Sequence, residues 1–348
     1  MLKFLIVAPF LVIFILFFGF FFSSEDRESS VGERVLKQDE SMNVASEDPL
    51  PFEELTIPFL KSRSYTSNLG ELVLSSQSGT YSSYLTSYSS DNLKVEGLLT
   101  VPVGEKPEGG FPAIIFVHGY IPPTQYQTLT KYQDYVDYLA RNGFVVFKID
   151  LRGHGNSEGD ASGAYYSSDY VVDVLSARVA LQNSDFVNPT RIGLWGHSMA
   201  GNVIFRAAAA APDVKAVVIW AGAVYSYEDL QKYGLDDNSY RPPANDTERQ
   251  RKRQELFDRY GQFNPRSDFW TKVVATNYIS EFEGAIQLHH AVDDTVVNIG
   301  YSRDLKSVLD NTLVKHELFE YPSGGHNMTG SAFGVAMGRT VSFFRENL

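Results

Sequence analysis

The chain has 348 residues, of which 43% are hydrophobic and 21% charged, and it contains no cysteine. This composition suits a globular protein with one sizeable α/β domain, and it excludes disulfides, thiolate metal sites and a cysteine nucleophile. The formal net charge is −12, and the absence of a basic stripe argues against a nucleic-acid partner.

The chain begins with an apolar segment. Residues Phe4 to Phe22 carry no charge, Lys3 precedes them, and Glu25 and Asp26 follow. About 20 apolar residues cross a bilayer core, whereas signal-peptide cores have about 7 to 15. We therefore predict that residues 1–22 are an uncleaved transmembrane signal anchor. Lys3 favours a cytoplasmic N-terminus, which places the rest of the chain outside the cytoplasm. The alternative is a cleaved signal peptide and a secreted protein.

An acidic segment follows at residues 23–55, with ten acidic and three basic side chains. This composition is typical of a flexible, solvated tether. We assign residues 56–348 to one folded domain. Near its start, alternating residues from Ser82 to Val103, interrupted by Asp91-Asn92, predict an antiparallel hairpin.

Strands and helices then alternate to the end of the chain. The predicted strands are apolar runs, as expected when both faces of a parallel sheet are covered. They lie at 113–117, 144–149, 191–195, 214–219, 286–289 and 313–321, and the predicted helices lie at about 127–142, 170–181, 201–211, 301–309 and 331–346. This order predicts a doubly wound, mostly parallel sheet with the hairpin at its antiparallel edge.

One polar stretch, Tyr225–Glu283, interrupts the alternation. It contains a charged helical pattern from Asn245 to Tyr260. We interpret it as a helical cap insertion that screens substrates. The alternative is a surface insertion with no gating role.

The turn Trp195-Gly-His-Ser-Met-Ala-Gly201 joins an apolar strand to an alanine-rich helix. This is the layout of a nucleophile elbow, in which the hydroxyl of Ser198 is exposed on a strained turn. The free N–H groups and the dipole of the helix N-terminus favour an oxyanion beside that serine. The alternative is an ordinary strand–turn–helix junction with a serine N-cap.

A serine nucleophile needs a base and an orienting carboxylate, which follow an elbow in the order acid, then histidine. His326 lies in a glycine-bearing loop between the last predicted strand and helix, where doubly wound folds bind ligands. Asp293 or Asp294 can supply the carboxylate, because both follow a predicted strand. The alternative is that this pair caps the next element through an Asx turn.

Backbone amides are the usual donors to an oxyanion. The candidates here are Met199, which follows the nucleophile, and Tyr120 in the loop His118-Gly119-Tyr120. The alternative is that Tyr120 simply lines the pocket. No spaced set of histidines suggests a zinc site, and neither a metal nor a cofactor is expected.

Four motifs carry a resemblance to a known family, over roughly residues 81–348. They are Phe116-Val-His-Gly119, Asp150-Leu-Arg-Gly-His-Gly155, the elbow, and His289-His-Ala-Val-Asp-Asp-Thr-Val296 with Gly325-His326. The chain resembles the α/β-hydrolases, and most of all the catalytic domain of the prolyl oligopeptidase (S9) serine peptidases and their esterase relatives. The resemblance implies the α/β-hydrolase fold and a Ser–His–Asp triad. In the family's His-Gly-x-x-Asp-Asp-x-Val pattern the first aspartate is the triad member, which selects Asp293.

The chain also departs from the family pattern. Tyr120 stands where many relatives have a second glycine, His290 replaces a glycine, and Val297 replaces a proline. The residues between the predicted anchor and the hairpin are too few for the oligopeptidase β-propeller. The resemblance implies a prolyl oligopeptidase-like serine peptidase acting on short peptides. The alternatives are a carboxylesterase or lipase-type hydrolase of small esters and, third, a non-catalytic binding protein built on this fold.

Overall fold

The computed structural model of the chain describes residues 50–235 and 246–348. The predicted anchor, Phe4–Phe22, and most of the predicted tether lie outside these ranges. In the ranges that are described, no helix is both long enough and apolar enough to span a bilayer.

A single mixed sheet organises the described residues. Its nine strands within these ranges are β1 (Val73–Gln77), β2 (Tyr81–Ser90), β3 (Leu93–Pro102), β4 (Phe111–Val117), β5 (Val145–Ile149), β6 (Val187–His197), β7 (Ala216–Trp220), β8 (Ala285–Ala291) and β9 (Lys315–Tyr321). Their order is β1-β2-β3-β5-β4-β6-β7-β8-β9. The β1-β2, β2-β3 and β3-β5 pairs are antiparallel, and the other pairs are parallel. The predicted doubly wound sheet with an antiparallel edge is confirmed.

Helices cover both faces of the sheet. The described ranges contain α1 (Ile57–Ser62), α2 (Gln133–Arg141), α3 (Asp169–Gln182), α4 (Met199–Ala210), α5 (Glu228–Tyr233), α6 (Thr247–Tyr260), α7 (Asp268–Val273), α8 (Gly300–Leu309) and α9 (Ser331–Asn347). Buried apolar residues of α1, α3, α4 and α8 join one core, and those of α2 and α9 join a second core. The central strands β4, β5, β7 and β8 lie between these layers and are buried on both sides, which explains their continuous apolar runs.

Chain direction changes where the sequence offers residues suited to a turn. The β2–β3 hairpin turns at Asp91 and Asn92, whose φ angles are 52° and 64°. Such left-handed pairs match the twist of the flanking strands, and Asp and Asn tolerate them. Helix α2 begins at Gln133, later than predicted, because Tyr132 adopts a left-handed φ of 59° that cannot continue a helix.

Two elements near the start of the domain were not predicted. Strand β1 is exposed along its whole length, so it lacks the apolar alternation that would reveal it. A short 3₁₀ turn occupies Glu53–Leu55, and Leu55 is only 3% exposed. The ordered domain therefore begins before residue 56, and the predicted tether ends earlier than residue 55.

The interruption at 225–283 is largely helical where it is described, with α5, α6, α7 and two short 3₁₀ turns. Helix α6 coincides with the predicted charged helix. It begins where the Asp246 carboxylate accepts a hydrogen bond from the Arg249 amide at 2.9 Å, and it ends at Gly261, whose φ is 70°. These are the expected start and stop signals of a helix.

Candidate active site

Ser198 occupies a strained turn between β6 and α4. Its φ and ψ are 57° and −123°, and its amide donates to the carbonyl of Trp220 at 2.9 Å. Small neighbours are needed here, because a Cβ added to Gly201 would lie 2.7 Å from the Cα of Gly222. A left-handed serine held by its surroundings is the geometry of a nucleophile elbow.

His326 lies in the loop between β9 and α9, and its ring is held by a carboxylate. The Nδ1 atom lies 2.8 Å from Asp294 Oδ2. An ionised carboxylate only accepts, so Nδ1 carries the proton and the Nε2 of the neutral ring is left as an acceptor. In the described ranges, no hydrogen bond joins this ring to the Ser198 hydroxyl. Catalytic contacts of this kind are often long in unliganded enzymes.

The contact with Asp294 corrects the expectation that Asp293 orients His326. Asp293 is exposed, and its carboxylate accepts hydrogen bonds from the amides of Gly325 at 2.8 Å and Gly324 at 3.3 Å. It therefore holds the backbone of the histidine loop and does not reach the imidazole. The side chain of Asp294, in contrast, is fully buried.

Two residues that depart from the family pattern, His290 and Val297, explain why Asp294 and not Asp293 contacts His326, because both form hydrogen bonds with Asp294. His290 Nε2 lies 3.2 Å from Asp294 Oδ2, and the amide of Val297 donates to Oδ1 at 3.0 Å. A glycine at 290 has no side chain to offer, and a proline at 297 has no N–H. Burial alone would raise the pKa of Asp294, but the hydrogen bonds from His290, His326 and the Val297 amide hold it well below its usual range.

The two candidate oxyanion donors lie beside a large cavity. Met199 is the first residue of α4, so its N–H has no partner within the helix. Tyr120 follows β4, and its side chain is half-buried. Both residues line a cavity of about 950 Å³, together with Phe52, Tyr165 and side chains of α6. The side chain of Tyr120 thus lines the cavity, and its backbone amide remains a candidate oxyanion donor.

The Asp150-Leu-Arg-Gly-His-Gly155 segment supports the site without entering the chemistry. Asp150 accepts hydrogen bonds from Tyr126 Oη at 2.7 Å and Thr128 Oγ1 at 2.5 Å, and burial raises its pKa to about 6. Arg152 Nη2 lies 2.7 Å from the buried carboxylate of Asp173. These contacts fix the loops around the cavity, which is a structural role.

Three residues around the site were missed by sequence reasoning: His290, His197 and Tyr132. His290 was noticed only as a departure from the family pattern. His197 precedes the nucleophile, and Tyr132 precedes α2 in a predicted helical run. Only the fold brings the latter two side chains together, so no local signal marks them.

Two family models match parts of the chain. Residues 111–235 match a family model described as serine aminopeptidase, S33, and residues 176–342 match one described as BAAT / acyl-CoA thioester hydrolase C terminal. An uncharacterized 31.7 kDa protein of Escherichia coli is 30% identical over 114 residues. That match covers 32% of this chain and only 38% of the curated relative.

Solved structures of esterases and peptidases share the fold. Acetyl xylan esterase 1 from Thermoanaerobacterium sp. superposes with a TM-score of 0.59 at 22% identity, covering 86% of this chain and 94% of the esterase. Acylaminoacyl peptidase from Pyrococcus horikoshii gives 0.58 at 21% identity, covering 77% of this chain and 42% of the peptidase. Dipeptidyl peptidase 4 from Porphyromonas gingivalis gives 0.59 at 20%, covering 77% and 36%. The chain has the α/β-hydrolase fold, and it is similar to both esterases and S9-type peptidases.

Proposed function

We propose that this protein is a serine hydrolase that cleaves carboxyl esters through a triad of Ser198, His326 and Asp294. The observation that carries the proposal is the hydrogen bond from His326 Nδ1 to the buried Asp294 carboxylate. It fixes the imidazole in the tautomer whose Nε2 can accept a proton. The loop between β9 and α9 that carries His326, the base loop, also contacts the end of β6 next to the nucleophile, because His326 O lies 2.9 Å from His197 Nε2.

Acylation follows from these positions. Ser198 Oγ attacks the ester carbonyl carbon while His326 Nε2 takes its proton, and Asp294 stabilises the imidazolium that forms. The amides of Met199 and Tyr120 donate to the developing oxyanion. As the tetrahedral intermediate collapses, the C–O bond to the alcohol breaks, and Nε2 returns the proton to the leaving oxygen.

Deacylation repeats these steps with water. His326 Nε2 takes a proton from the water that attacks the acyl carbon, and then gives it to Ser198 Oγ as the acid product leaves. The same strained turn presents the Ser198 hydroxyl in both half-reactions.

Esters are favoured over peptides by the extent of the structural matches. The acetyl xylan esterase is covered over almost its whole length, whereas the peptidases are covered over less than half. Peptide hydrolysis is the second candidate, and the S33 aminopeptidase match over residues 111–235 supports it. Initial rates on aryl esters of increasing acyl length and on aminoacyl anilides decide between them. Turnover of anilides alone would favour the peptidase.

Labelling with a fluorophosphonate probe tests the chemistry directly. We expect the wild-type chain to be labelled, and Ser198→Ala and His326→Ala to lose labelling and to lower ester turnover by about 10⁴-fold or more. Circular dichroism of each variant shows whether it is folded. A folded wild type that neither reacts with the probe nor turns over esters refutes the proposal.

A matched pair of variants tests the assignment of the acid. Asp294→Asn should lower kcat by about 10³- to 10⁴-fold, because an amide cannot stabilise the imidazolium and favours the wrong tautomer. Asp293→Asn should lower kcat by less than about tenfold, because one amide-to-oxygen contact with the loop can remain. The reverse order of the two effects would show that Asp293 is the triad acid.

We further propose that Phe4–Phe22 anchors the enzyme in a membrane with the catalytic domain outside the cytoplasm. The length of this apolar segment and the position of Lys3 support the proposal. The full chain should then stay in the membrane fraction after a high-salt or alkaline wash and dissolve only in detergent. A mature N-terminus near Ser23 would instead show signal-peptide cleavage and secretion.

A further inference from the structure

A buried histidine that the proposed chemistry does not use connects two loops of the site. His197, at the end of β6, is 2% exposed. Its Nδ1 lies 2.7 Å from Tyr132 Oη, and its Nε2 lies 2.9 Å from the carbonyl oxygen of His326. Tyr132 Oη also accepts a hydrogen bond from the Gly119 amide at 3.0 Å. This chain of hydrogen bonds runs from the Gly119–Tyr120 loop to the backbone of the base.

The direction of each bond is determined. A carbonyl oxygen only accepts, so His197 Nε2 carries the proton. Burial, together with the neighbouring His326, lowers the pKa of His197 to about 3, so the ring is neutral and Nδ1 accepts. Burial raises the pKa of Tyr132, so its hydroxyl keeps its proton and donates to Nδ1. Every donor therefore meets an acceptor in one arrangement only.

The surroundings leave these groups little freedom. Tyr132 adopts a left-handed φ of 59°, and its ring packs against Phe116 at a centroid distance of 5.4 Å. A Cβ added to Gly119 would lie 2.9 Å from Tyr132 Oη, so this close approach requires glycine. Tyr135, in the first turn of α2, donates its hydroxyl to the Asn327 carbonyl at 2.8 Å, which ties the same helix to the base loop.

We propose that Tyr132 and His197 are positioning residues. They align two segments with Ser198: the oxyanion loop, His118-Gly119-Tyr120, and the base loop. This inference rests on the proposed function. Neither residue touches a reacting atom. Tyr132 sets the backbone that carries the Tyr120 amide, and His197 sets the backbone that carries the His326 ring. Loss of either contact shifts groups that act in the transition state, so kcat should fall while KM stays nearly constant.

Three variants of the full chain test this proposal on a short-chain aryl ester, alongside wild type and Ser198→Ala. Tyr132→Phe removes one hydroxyl and keeps the ring, and His197→Gln keeps a donor at the Nε2 end while losing the contact with Tyr132. The third variant combines both changes. Tyr138→Phe is the control, since it removes a hydroxyl from α2 that makes no hydrogen bond among the described residues. We expect each single variant to lower kcat about 10- to 100-fold with KM within about twofold.

If Tyr132 and His197 act as one hydrogen-bonded unit, the double variant should be no slower than the slower single variant. The proposal is overturned if Tyr132→Phe keeps the wild-type kcat, if KM rises while kcat is constant, or if the two losses multiply in the double variant. A wild type without Ser198-dependent turnover would overturn the proposed function and this inference with it. An active wild type with an unimpaired Tyr132→Phe would overturn this inference alone.

Discussion

Asp294 receives its hydrogen bonds from both sides of the β8–α8 connection and from the base loop. Val296 and Val297 donate their amides to Oδ1 at 2.8 and 3.0 Å, while His290 and His326 approach Oδ2. A fully buried carboxylate with this set of donors has one orientation available. Its hydrogen bond to His326 Nδ1 in turn fixes the orientation of the imidazole.

His290 should therefore affect the rate as well as stability. His290→Ala leaves the buried Asp294 Oδ2 and the Ser302 hydroxyl with one partner fewer, which costs about 1 to 3 kcal/mol of stability. We expect kcat to fall about tenfold, because the carboxylate that orients His326 gains freedom. His290→Gln, which can still donate to Asp294, should recover most of that loss.

Steady-state kinetics and urea unfolding of both variants measure these effects. His316→Ala is the control, since that histidine contacts Asp310 away from the site. A His290→Ala enzyme with the kcat of wild type would show that the other donors suffice.

The local sequence pattern predicts some of the site residues and misses others. The Ser198 elbow and the His326 loop are each marked by glycines and by a neighbouring strand, so the sequence identifies them. Asp293 and Asp294 are adjacent and point to different partners. Which of them meets the imidazole depends on His290 and Val297, whose contacts exist only in the folded chain.

The cavity is shaped by elements outside the central sheet. Tyr260 of α6 donates its hydroxyl to the Pro51 carbonyl at 2.7 Å, and Arg206 of α4 donates to the Leu55 carbonyl at 2.9 Å. These contacts hold the segment before α1 against the domain, and Phe52 of that segment lines the cavity. The segment that precedes α1 is thus part of the wall of the cavity that Tyr120 and Met199 also line.

Phe52 should consequently limit the size of the acyl or alcohol group. Phe52→Ala removes a ring from the cavity wall and should raise the ratio of kcat/KM for a long-chain ester to that for an acetyl ester about tenfold. Phe59→Ala, a change in α1 outside the cavity, should leave the ratio unchanged. Equal ratios in wild type and Phe52→Ala would show that this wall does not contact the substrate.

Strands and helices with a clear apolar pattern were predicted well, and elements without such a pattern were not. Strands β4, β5, β7 and β8 are buried on both faces and bounded by Gly or polar turns, so their apolar runs are diagnostic. Strand β1 has no buried face, and its pairing with β2 alone makes it a strand. Helix α2 starts late because Tyr132 has a left-handed backbone conformation. The contacts of the Tyr132 side chain with Gly119 and His197, which accompany this conformation, cannot be read from the local sequence.

For the whole molecule, buried titratable groups set the response to acid. Burial lowers the pKa of His118, His197 and His289 to about 3, so the unfolded chain binds more protons than the folded chain from about pH 6.5 down to that value. Their contribution to stability is lost as the pH falls. Burial raises the pKa of Asp150 and Asp229 to about 6, and their effect is opposite between about pH 4 and 6.

Burial also lowers the pKa of His154 and raises that of Asp173, so four histidines that lose stability on acidification oppose three aspartates. We expect the free energy of unfolding to fall as the pH is lowered from about 6 to 4, and urea unfolding over this range measures it. Asp150→Asn removes one opposing group and should steepen the slope. A stability that is constant or rises between pH 6 and 4 would contradict the balance of these groups.

The hydrogen bond between His197 and His326 spans 129 positions of the sequence, and the bond from Tyr135 to Asn327 spans 192. Contacts between such distant residues form late in folding, because closing the intervening chain costs entropy before the contacts compensate for it. A partly folded chain can therefore complete the Ser198 turn and its helix while the base is still absent. In that order of folding, the proposed triad is complete only when the loop that carries His326 joins Ser198, so a partly folded chain holds the proposed nucleophile without its base.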